Sequence, residues 1–531
     1  MKVFHYRGKE QQMNRIESPS IHIKSIEFKD GTSLELNPNS IVVFTGANNC
    51  GKSQILRDIE ALIKERGADT VVTSKLDLEF KGELDQSYFH SKASRDEEGR
   101  YFLSGRVASY EELKEDWGNR DLCNMHKMFV SRLDTEERLT SSKTKKLYGG
   151  KSYEEINSIN QVYGDNSLEN RISELFNEGF NQDLIVNRRY GGNVALHVGT
   201  RPEWEGGRDG ESKYYAAVND LPLLDTQGDG MRSFASIILD AFTSNFPITL
   251  IDEPEAFLHP PQARIIGKML GEHKIKDHQL FISTHSAEVI NGLLDSNNGN
   301  INVIRINREA NINHIFCLGN QEIKELWSNP IFRYSNIFDG LFHKKVVVCE
   351  SDYDCLFYKA MFDAISKNNH TPGLDVMFTH CGGKARMKNV VSALRALKVP
   401  VVAIPDFDII DNKNELTQLC KAFTITIPEL DEKLKIIYDF INADGGKVRK
   451  LIKDSGCHVL QGDAFRAYRD LENIFMKEGL FIVPVGELES FNKLINKDKK
   501  DWVYAVLEKE NLCEDENLSE ARKFIQKIIE F

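Results

Sequence analysis

One short segment, residues 46–53, constrains the fold of this chain more than any other. Its sequence, GANNCGKS, matches the pattern GxxxxGK[ST] in full. The continuous apolar run at 41–44 predicts a buried strand before it, and apolar residues at helical spacing follow from Ile55 to Ile63. A glycine-rich loop between a strand and a helix presents backbone N–H groups to phosphates. The sequence therefore predicts an α/β P-loop domain whose phosphate and Mg²⁺ ligands are Gly46, Asn49, Gly51, Lys52 and Ser53.

A second apolar strand, predicted over residues 247–251, ends in two adjacent acidic residues. We expect Asp252 to hold the Mg²⁺ through water, and Glu253 to polarise the attacking water as general base. The next predicted strand, 279–283, is followed by His285, which this order predicts to be a sensor of the γ-phosphate. These residues predict a nucleotide-hydrolysing site with ATP as its cofactor.

Composition limits the class of protein. The 531 residues allow two to four domains, and no apolar run approaches the length of about eighteen residues that a membrane span needs. The first residues are polar and charged, unlike a secretory signal, and the nine cysteines contain no CxxC pair. We therefore expect a cytoplasmic protein with no membrane partner. The net charge of −12 argues against indiscriminate coating of DNA, although local basic patches still allow nucleic-acid binding.

The second half of the chain alternates strand and helix patterns. The predicted strands are 346–349, 376–379 and 400–404, and the predicted helices are 356–365 and 387–397. This alternation is typical of a parallel α/β sheet.

Acidic residues follow two of these strands. Glu350 and Asp354 come after the first, and Asp406 and Asp408 come after the last. Alternate residues of a strand share a face, so both aspartates can point at one ion. Carboxylates clustered in this way repel one another unless a divalent cation lies among them. The pattern therefore predicts a Mg²⁺ or Mn²⁺ site.

A further apolar run, 482–485, ends in Glu487 and Glu489, either of which could complete a second metal position. Among the lysines that follow, we assign to Lys500 the neutralisation of charge that develops on a phosphate. The segment 382–384, Gly-Gly-Lys, could bring backbone amides and a cation to a phosphate or form a plain turn.

The loop before the Asp252 strand carries another glycine motif, QGDG at 227–230. With the P-loop, the acidic strand and the histidine, it resembles the ABC-type ATPases of the SMC group. The resemblance implies that Gly228 and Gly230 belong to a signature motif, which binds the γ-phosphate of ATP held by a second subunit. It also implies a homodimer or larger homo-oligomer. This sequence departs from the usual Ser-Gly-Gly signature, so only the glycines and the helix N-terminus are expected to contact the phosphate.

The spacing Glu350-x-x-x-Asp354 with Asp406-x-Asp408 resembles the TOPRIM domain of topoisomerases, bacterial primases and some nucleases, over about residues 344–500. In this resemblance the Leu-Glu pair before an aromatic residue favours Glu489 as the further ligand. It implies two-metal phosphodiester hydrolysis. One ion would be held by Glu350, Asp406 and Asp408, and the second by Asp354 and Glu489. Glu350 could instead act as a general acid or base.

An ABC-type ATPase with a long insertion, followed by a TOPRIM domain, is the architecture of the OLD (overcoming lysogenisation defect) family of ATP-dependent endonucleases. The predicted parts are 1–70 (ATPase with P-loop), 71–220 (insertion of uncertain fold), 221–335 (second part of the ATPase) and 336–531 (TOPRIM). The resemblance implies ATP-regulated, metal-dependent DNA cleavage in antiphage defence. Relatives include the nuclease subunit of the Gabija system and effectors of some retrons, so a helicase, or a reverse transcriptase with its RNA–DNA product, is a candidate partner.

Three other functions fit parts of the pattern. A TOPRIM strand-passage enzyme needs a tyrosine on a separate DNA-gate domain, and we expect too little chain after about residue 500 to provide one. An ATP-switched sensor or scaffold that holds a toxic partner would carry a degenerate TOPRIM, and the intact acidic set argues against it. A TOPRIM ribonuclease stays open, because the sequence does not separate DNA from RNA. Nor does the sequence say whether ATP activates or inhibits cleavage.

Overall fold

The structure, a computed structural model, describes residues 18–531 apart from 94, 97, 104–105, 148–156, 205, 244–245, 273–276, 319–322, 325–326, 329–335, 371–374, 427–429, 444–446 and 510. The described residues fall into two units. The first draws on Met1–Phe44, Gly51–Ile304 and Arg308–Ile315, and the second on Thr45–Cys50, Arg305–Asn307 and Phe316–Phe531.

The first half of the chain and its continuation to residue 318 supply strands and helices in mixed order. The strands are β1 (Ser20–Phe28), β2 (Ser33–Glu35), β3 (Ile41–Gly46), β4 (Thr73–Lys81), β5 (Tyr101–Leu103), β6 (Arg106–Ala108), β7 (Val130–Leu133), β8 (Lys145–Lys146), β9 (Asp183–Asn187), β10 (Asn193–Gly199), β11 (Ile248–Asp252), β12 (Gln279–Ser283), β13 (Ile301–Glu309) and β14 (Ile312–Leu318). The helices are α1 (Lys52–Lys64), α2 (Gln86–Lys92), α3 (Tyr110–Gly118), α4 (Thr135–Ser141), α5 (Ser158–Gly164), α6 (Asn166–Phe180), α7 (Gly207–Asn219), α8 (Asp229–Thr243), α9 (Pro260–Gly271) and α10 (Ala287–Asp295).

A six-stranded sheet of order β14-β13-β3-β12-β11-β7 positions the nucleotide motifs. Strands β3, β12, β11 and β7 run parallel. All residues of β3 and β12 are buried, as expected for apolar runs covered on both faces. Because the carboxyl ends of parallel strands meet at one edge, Asp252 lies opposite Ser283, and Ser283 lies opposite Phe44. The fold here is the predicted α/β P-loop fold.

Two strands within the range predicted as an insertion, 71–220, pair with strands outside it. β4 is antiparallel to β1, and β7 is parallel to β11. Neither strand has a clear apolar pattern in the sequence, because β4 is half-exposed and β7 has only four residues. The remainder of the range includes a second sheet, of order β8-β10-β9, beside α5, α6 and α7.

The second unit contains a smaller α/β fold. Its strands are β15 (Lys345–Cys349), β16 (Val376–His380) and β17 (Val401–Ile404). Its helices are α11 (Asp352–Asn368), α12 (Lys384–Ala396), α13 (Lys413–Ala422), α14 (Leu430–Asn442), α15 (Lys447–Ser455), α16 (Gly462–Lys477), α17 (Lys499–Leu507) and α18 (Ser519–Glu530). The three strands are parallel in the order β16-β15-β17, which confirms the predicted alternation. A 3₁₀ helix at Asn336–Phe342 precedes β15.

The apolar run predicted at 482–485 continues this sheet without forming a regular strand. The Phe481 N–H donates to the Ala403 carbonyl (2.9 Å), and the Val483 N–H donates to the Pro405 carbonyl (3.0 Å), so the segment runs beside β17. Gly486 then turns the chain with φ +115°, where a Cβ would lie 2.0 Å from the Lys453 carbonyl oxygen. Only glycine allows this close approach, and it delivers the acidic residues that follow to the same edge of the sheet.

Helix α17 is anchored in the core of the second unit by Trp502. Its indole is fully buried and packs 5.3 Å from the Phe357 ring in an edge-on arrangement. The indole Nε1–H donates to the Asn492 carbonyl (3.1 Å), which satisfies the one polar atom of the side chain. This anchor fixes both the position and the rotation of α17.

Candidate functional site

The P-loop predicted at 46–53 lies between β3 and α1. Gly46, Asn49 and Gly51 have positive φ angles of 146°, 63° and 103°. A Cβ on Gly46 would lie 2.2 Å from the Ile306 carbonyl oxygen, so no other residue fits there. The backbone can therefore curl ahead of the amino end of α1, where N–H groups bind phosphates. The residues present fit the phosphates of ATP.

The Mg²⁺ side of the nucleotide site is formed where α1 meets β11 and β12. Ser53, in the first turn of α1 next to the buried Lys52, donates from Oγ to Asp252 Oδ1 (2.9 Å). Ser283 donates to the same carboxylate oxygen. A hydroxyl and a carboxylate in contact are the ligands that P-loop sites offer to Mg²⁺, directly and through water. The predicted residues are thus brought together, and they fit this ion.

The predicted general base and γ-phosphate sensor lie beside each other. Glu253 has φ 50°, a left-handed conformation that is uncommon outside glycine, and its N–H donates to the Ser283 carbonyl (2.9 Å). Its Oε1 lies 3.5 Å from His285 Nδ1. Residues held in such conformations cluster at functional sites, where the surrounding structure maintains them.

Glu255 was given no role by the sequence, although it lies in the same acidic segment. Its buried carboxylate accepts hydrogen bonds from Thr284 Oγ1 and from the His285 N–H, both at 2.8 Å. Its Oε1 lies 3.2 Å from His285 Nδ1. Burial raises the pKa of Glu255, and these hydrogen bonds oppose the rise. Glu255 therefore positions His285.

Arg138, in α4, also escaped the sequence analysis. Its fully buried guanidinium donates to the carbonyl oxygens of Asp252 (2.6 Å) and Glu253 (3.0 Å). Burial lowers the pKa of Arg138, and the carboxylates of Glu255, Asp252 and Glu253 oppose this. Arg138 holds the backbone from which both acidic side chains project. Nothing local to its sequence distinguishes it from a surface arginine.

The signature loop predicted at 227–230 leads into α8. A Cβ on Gly230 would lie 2.7 Å from the Phe257 carbonyl oxygen, so Gly230 is required for packing. A Cβ on Gly228 would meet nothing within 4 Å, and this residue is exposed. The structure thus makes Gly228 the more accessible of the two residues predicted to contact a phosphate.

In the second unit, the predicted carboxylates meet at the carboxyl edge of the parallel sheet. Glu350 follows β15 and Asp406 follows β17, and the Asp406 N–H donates to Glu350 Oε1 (3.0 Å). Asp354 is buried in the first turn of α11, where its Oδ2 accepts hydrogen bonds from the N–H and Oγ of Ser351, both at 2.9 Å. This capping box gives Ser351, the residue after Glu350, a structural role, because its N–H and hydroxyl hold the carboxylate of Asp354.

Asp408, in the 3₁₀ helix that follows β17, is held by two lysines. Lys384 Nζ lies 2.7 Å from Asp408 Oδ2, and Lys453 Nζ lies 3.7 Å from the same oxygen. Lys453 also pairs with Glu487 Oε1 (3.1 Å). Burial tends to lower the pKa of Lys384, but the bond to Asp408 raises it above its usual value. The segment 382–384 is therefore more than a plain turn, because it brings a cation to the carboxylates.

Of the neighbouring lysines 499 and 500, the one that lies at the carboxylates is Lys499, one position before the predicted Lys500. Lys499 Nζ lies 2.7 Å from Asp354 Oδ1 and 3.8 Å from Asp406 Oδ2. Lys500 is exposed. Helix α17 begins at Lys499, and successive residues project about 100° apart, so only one of the two neighbours can face the carboxylates.

Of the two candidate glutamates, Glu489 has the carboxylate with fewer contacts to other charged groups or hydrogen-bond donors. Its Oε2 is buried and has no hydrogen-bond partner within the described part of the chain, whereas Glu487 is paired with Lys453. Burial raises the pKa of Glu489, Lys499 opposes the rise, and the charges of Glu487 and Asp354 add to it. Of the two glutamates, Glu489 is thus the one whose carboxylate is not already paired with a lysine; its role as a further ligand stays a prediction.

The acidic cluster formed by Glu350, Asp354, Asp406, Asp408 and Glu489 fits a hard divalent cation by its chemistry. Burial, with the neighbouring carboxylates, raises the pKa of Asp406 well above its usual value and raises that of Glu350, although Lys499 and a backbone N–H respectively oppose these rises. Asp408 Oδ1 is buried without a described hydrogen-bond partner. In the described ranges, no three acidic, histidine or cysteine side chains already converge on one ion position, so the carboxylates would turn to bind. An all-oxygen set suits Mg²⁺ or Mn²⁺.

Replacing Lys499 by methionine is expected to lower the free energy of unfolding in EDTA by about 1–3 kcal/mol, because it leaves carboxylates of the acidic cluster without their cation. The loss stays below that of a fully buried pair, since 27% of the Lys499 side chain is exposed. Added Mg²⁺ should recover much of the loss. Denaturant unfolding with and without Mg²⁺ measures both effects. Lys500→Met is the matched control, and equal stability of the two variants in EDTA would contradict the assignment.

Two family descriptions match parts of the chain. Residues 205–291 match “AAA domain, putative AbiEii toxin, Type IV TA system”. Residues 341–408 match “Overcoming lysogenization defect protein-like, TOPRIM domain”. The first range contains Asp252 and His285, and the second contains Glu350 and Asp408.

Curated relatives and solved structures also match. The OLD nuclease of Thermus scotoductus is 27% identical over 205 residues, which is 36% of this chain and 37% of that protein. The Old nuclease of Escherichia phage P2 is 23% identical over 318 residues, 55% of this chain and 51% of that protein. The matches thus span about a third to a half of these relatives' length. A structure of an SmcHead bound to the C-winged helix domain of ScpA covers 57% of this chain and 99% of its own, with 13% identity and a TM-score of 0.36.

Among the helices that the structure describes, none is long and apolar enough to cross a membrane.

The two family matches lie in the order ATPase then TOPRIM, each around acidic residues that the structure brings together, and both curated relatives carry the OLD name. The chain is therefore similar to the OLD family in both parts, with a P-loop ATPase region followed by an OLD-like TOPRIM domain.

Proposed function

We propose that this protein is a divalent-metal-dependent endonuclease that cleaves DNA under the control of ATP. The observation that carries the proposal is the acidic cluster at the carboxyl edge of β15 and β17. Buried like charges are costly without a cation, and raised pKa values at Asp406 and Glu350 reflect that cost. Clusters of perturbed carboxylates at a strand edge are typical of catalytic sites. The names of the two curated relatives support the same activity.

We assign the cluster to two ions, Mg²⁺ or Mn²⁺. Glu350, Asp406 and Asp408 would hold one, and Asp354 with Glu489 the other. When bound, such ions supply an activated water and stabilise the leaving oxygen of a phosphodiester. The Asp406 N–H fixes Glu350 Oε1 (3.0 Å), which holds this carboxylate at the strand end either as a ligand or as a general acid–base group.

Two lysines are suited to meet the phosphate itself. Lys499 and Lys384 lie against the cluster, each within 2.7 Å of a carboxylate oxygen. A cation fixed at this edge stabilises the negative charge that develops on a phosphate during hydrolysis. We assign to Lys499 the role that was predicted for Lys500.

The ATPase would regulate this chemistry through association of two chains. Lys52 and the P-loop bind the phosphates, Glu253 accepts the proton of the attacking water, and His285, positioned by Glu255, contacts the γ-phosphate. The exposed Gly228 at the start of α8 would contact ATP held by a second copy. ATP would then close a homodimer, from which larger homo-oligomers can be built.

We place this activity in bacterial antiphage defence, in the reducing cytoplasm, where the nine cysteines would stay free thiols as the structure has them. A helicase, or a reverse transcriptase with its RNA–DNA product, is the proposed kind of partner. RNA is a second candidate substrate.

The test is cleavage of supercoiled and linear DNA by the purified protein with Mg²⁺ or Mn²⁺, with and without ATP, beside an RNA of similar length. We expect nicking or linearisation of DNA that EDTA abolishes, and the ATP arms give the sign of its regulation. Cleavage of RNA alone would replace the substrate assignment. If neither polymer is cut while ATP is hydrolysed, the nuclease proposal fails, and a sensor or scaffold with an inactive TOPRIM domain takes its place.

A further inference from the structure

A cavity of about 600 Å³ opens in the first unit and contains no residue of the nucleotide site. Helices α6 and α7 contribute to its walls, together with residues that follow β9 and β10. This volume lies within the range of about 300–1,000 Å³ that is usual for small-molecule sites. No part of the proposed nuclease or ATPase chemistry uses it.

One wall of the cavity is built around the buried carboxylate of Glu169. Arg201 Nη1 donates to Glu169 Oε1 (2.9 Å), and Arg188 donates to the other oxygen. Arg188 Nε also donates to the Tyr163 carbonyl (3.1 Å), and Arg201 Nη1 lies 3.4 Å from the Tyr214 hydroxyl. The two guanidinium groups are therefore held in place, and Glu169 balances one of their two charges. This wall is rigid and polar, and its remaining positive charge is compatible with a neutral ligand or with one that carries a phosphate.

The groups left open toward the cavity are amides and aromatic rings. Asn166 and Asn170 lie one turn apart on α6, and within the described part of the chain neither side chain has a hydrogen-bond partner. Trp204, at the rim, is 67% exposed. Tyr214 and Tyr215 also line the cavity, with their rings 5.2 Å apart and nearly perpendicular, and the Arg189 guanidinium lies 5.3 Å from the centre of the Tyr215 ring.

This combination matches one class of ligand. Asparagine amides offer a donor and an acceptor side by side, as the edge of a nucleobase requires, and aromatic faces stack on the planar ring. We propose that the cavity binds a nucleobase, carried either by a free nucleoside or nucleotide or by an unpaired residue of a nucleic acid strand.

The test uses ligands that the P-loop does not compete for. Because P-loop binding depends on phosphates, isothermal titration of the full chain with adenosine, guanosine, cytidine and thymidine reports on the cavity. The 5′-monophosphates and short single-stranded oligonucleotides, titrated with ADP saturating the P-loop, show which source of the base is preferred. Trp204→Ala and Asn170→Ala should each weaken the affinity for the preferred ligand at least about fivefold, as loss of a stacking or edge contact does. Glu174→Ala, also exposed on α6 but outside the cavity, should leave the affinity within about twofold.

Binding by nucleosides, or by oligonucleotides alone, supports the proposal and identifies the source of the base. Absence of binding by all three kinds of ligand would overturn it, and so would binding that both variants leave unchanged. Trp204 and Asn170 are exposed side chains, so their loss should not unfold the protein, and circular dichroism checks this. The proposal does not depend on the nuclease activity. We therefore expect the Asp406→Asn variant to bind the same ligands with unchanged affinity.

Discussion

Asp406→Asn is expected to reduce DNA cleavage on the order of a thousandfold, because it removes a carboxylate of the acidic cluster that we propose to hold a metal ion. Asparagine keeps the shape of the side chain and the N–H bond to Glu350, so the loss would reflect charge and metal binding rather than a change of fold. The stability of the variant in EDTA should not fall, since burial and like charges raise the pKa of Asp406 and make its ionised form costly at neutral pH. The initial rate of nicking of supercoiled DNA in saturating Mg²⁺ measures the first effect, and denaturant unfolding measures the second.

The matched control is Asp411→Asn. Asp411 lies in the same 3₁₀ helix, but its carboxylate pairs with Arg449 (2.7 Å) instead of the cluster. Its replacement should change the cleavage rate less than about threefold. Equal loss in both variants would point to damage of the 3₁₀ helix, and full activity of Asp406→Asn would remove the cluster from the active site.

Glu253→Gln should lower the rate of ATP hydrolysis by about a hundredfold or more while ATP still binds. Glutamine can occupy the same position beside His285 but cannot accept a proton from the attacking water. The unhydrolysed nucleotide should then hold two chains together, so sedimentation of the variant with ATP is expected to show a dimer. Steady-state phosphate release and equilibrium binding of a fluorescent ATP analogue separate hydrolysis from binding.

Glu272→Gln provides the comparison for this variant. Glu272 is exposed at the end of α9 and makes only a 3.8 Å surface pair with Lys268, so hydrolysis should stay near the wild-type rate. Wild-type hydrolysis by the Glu253 variant would exclude this residue as the general base. Loss of ATP binding would instead assign it a structural role.

Much of the fold was predictable because its strands are continuous apolar runs that end in functional residues. The predicted strands after which Glu350, Asp406 and Asp252 lie are all present, and the parallel order of each sheet brings these carboxylates to one edge. The functional residues at the ends of such strands can be assigned from sequence, because an apolar run marks the buried strand and the polar residues directly after it mark its exposed end.

What could not be predicted depends on distant packing. The choice between Lys499 and Lys500 is set by the rotation of α17, which is fixed by the buried Trp502, three residues after Lys499 and so on nearly the same face of the helix. Arg138 reaches Asp252 across more than a hundred residues of chain. The strand β7 has four residues, of which only two are buried, and this pattern is too short to identify.

Because lysines already pair with the acidic cluster, a metal ion that binds there would take the place of their ammonium groups. Before any ion binds, the ammonium groups of Lys384 and Lys499 already balance part of the negative charge. A divalent ion bound by the same carboxylates would compete with these ammonium groups and release them, so its affinity should be lower than at a cluster without lysines. The released ammonium groups become available to a phosphodiester at the same moment. Binding of the metal ion and binding of the nucleic acid would then be thermodynamically linked, and each would raise the affinity for the other.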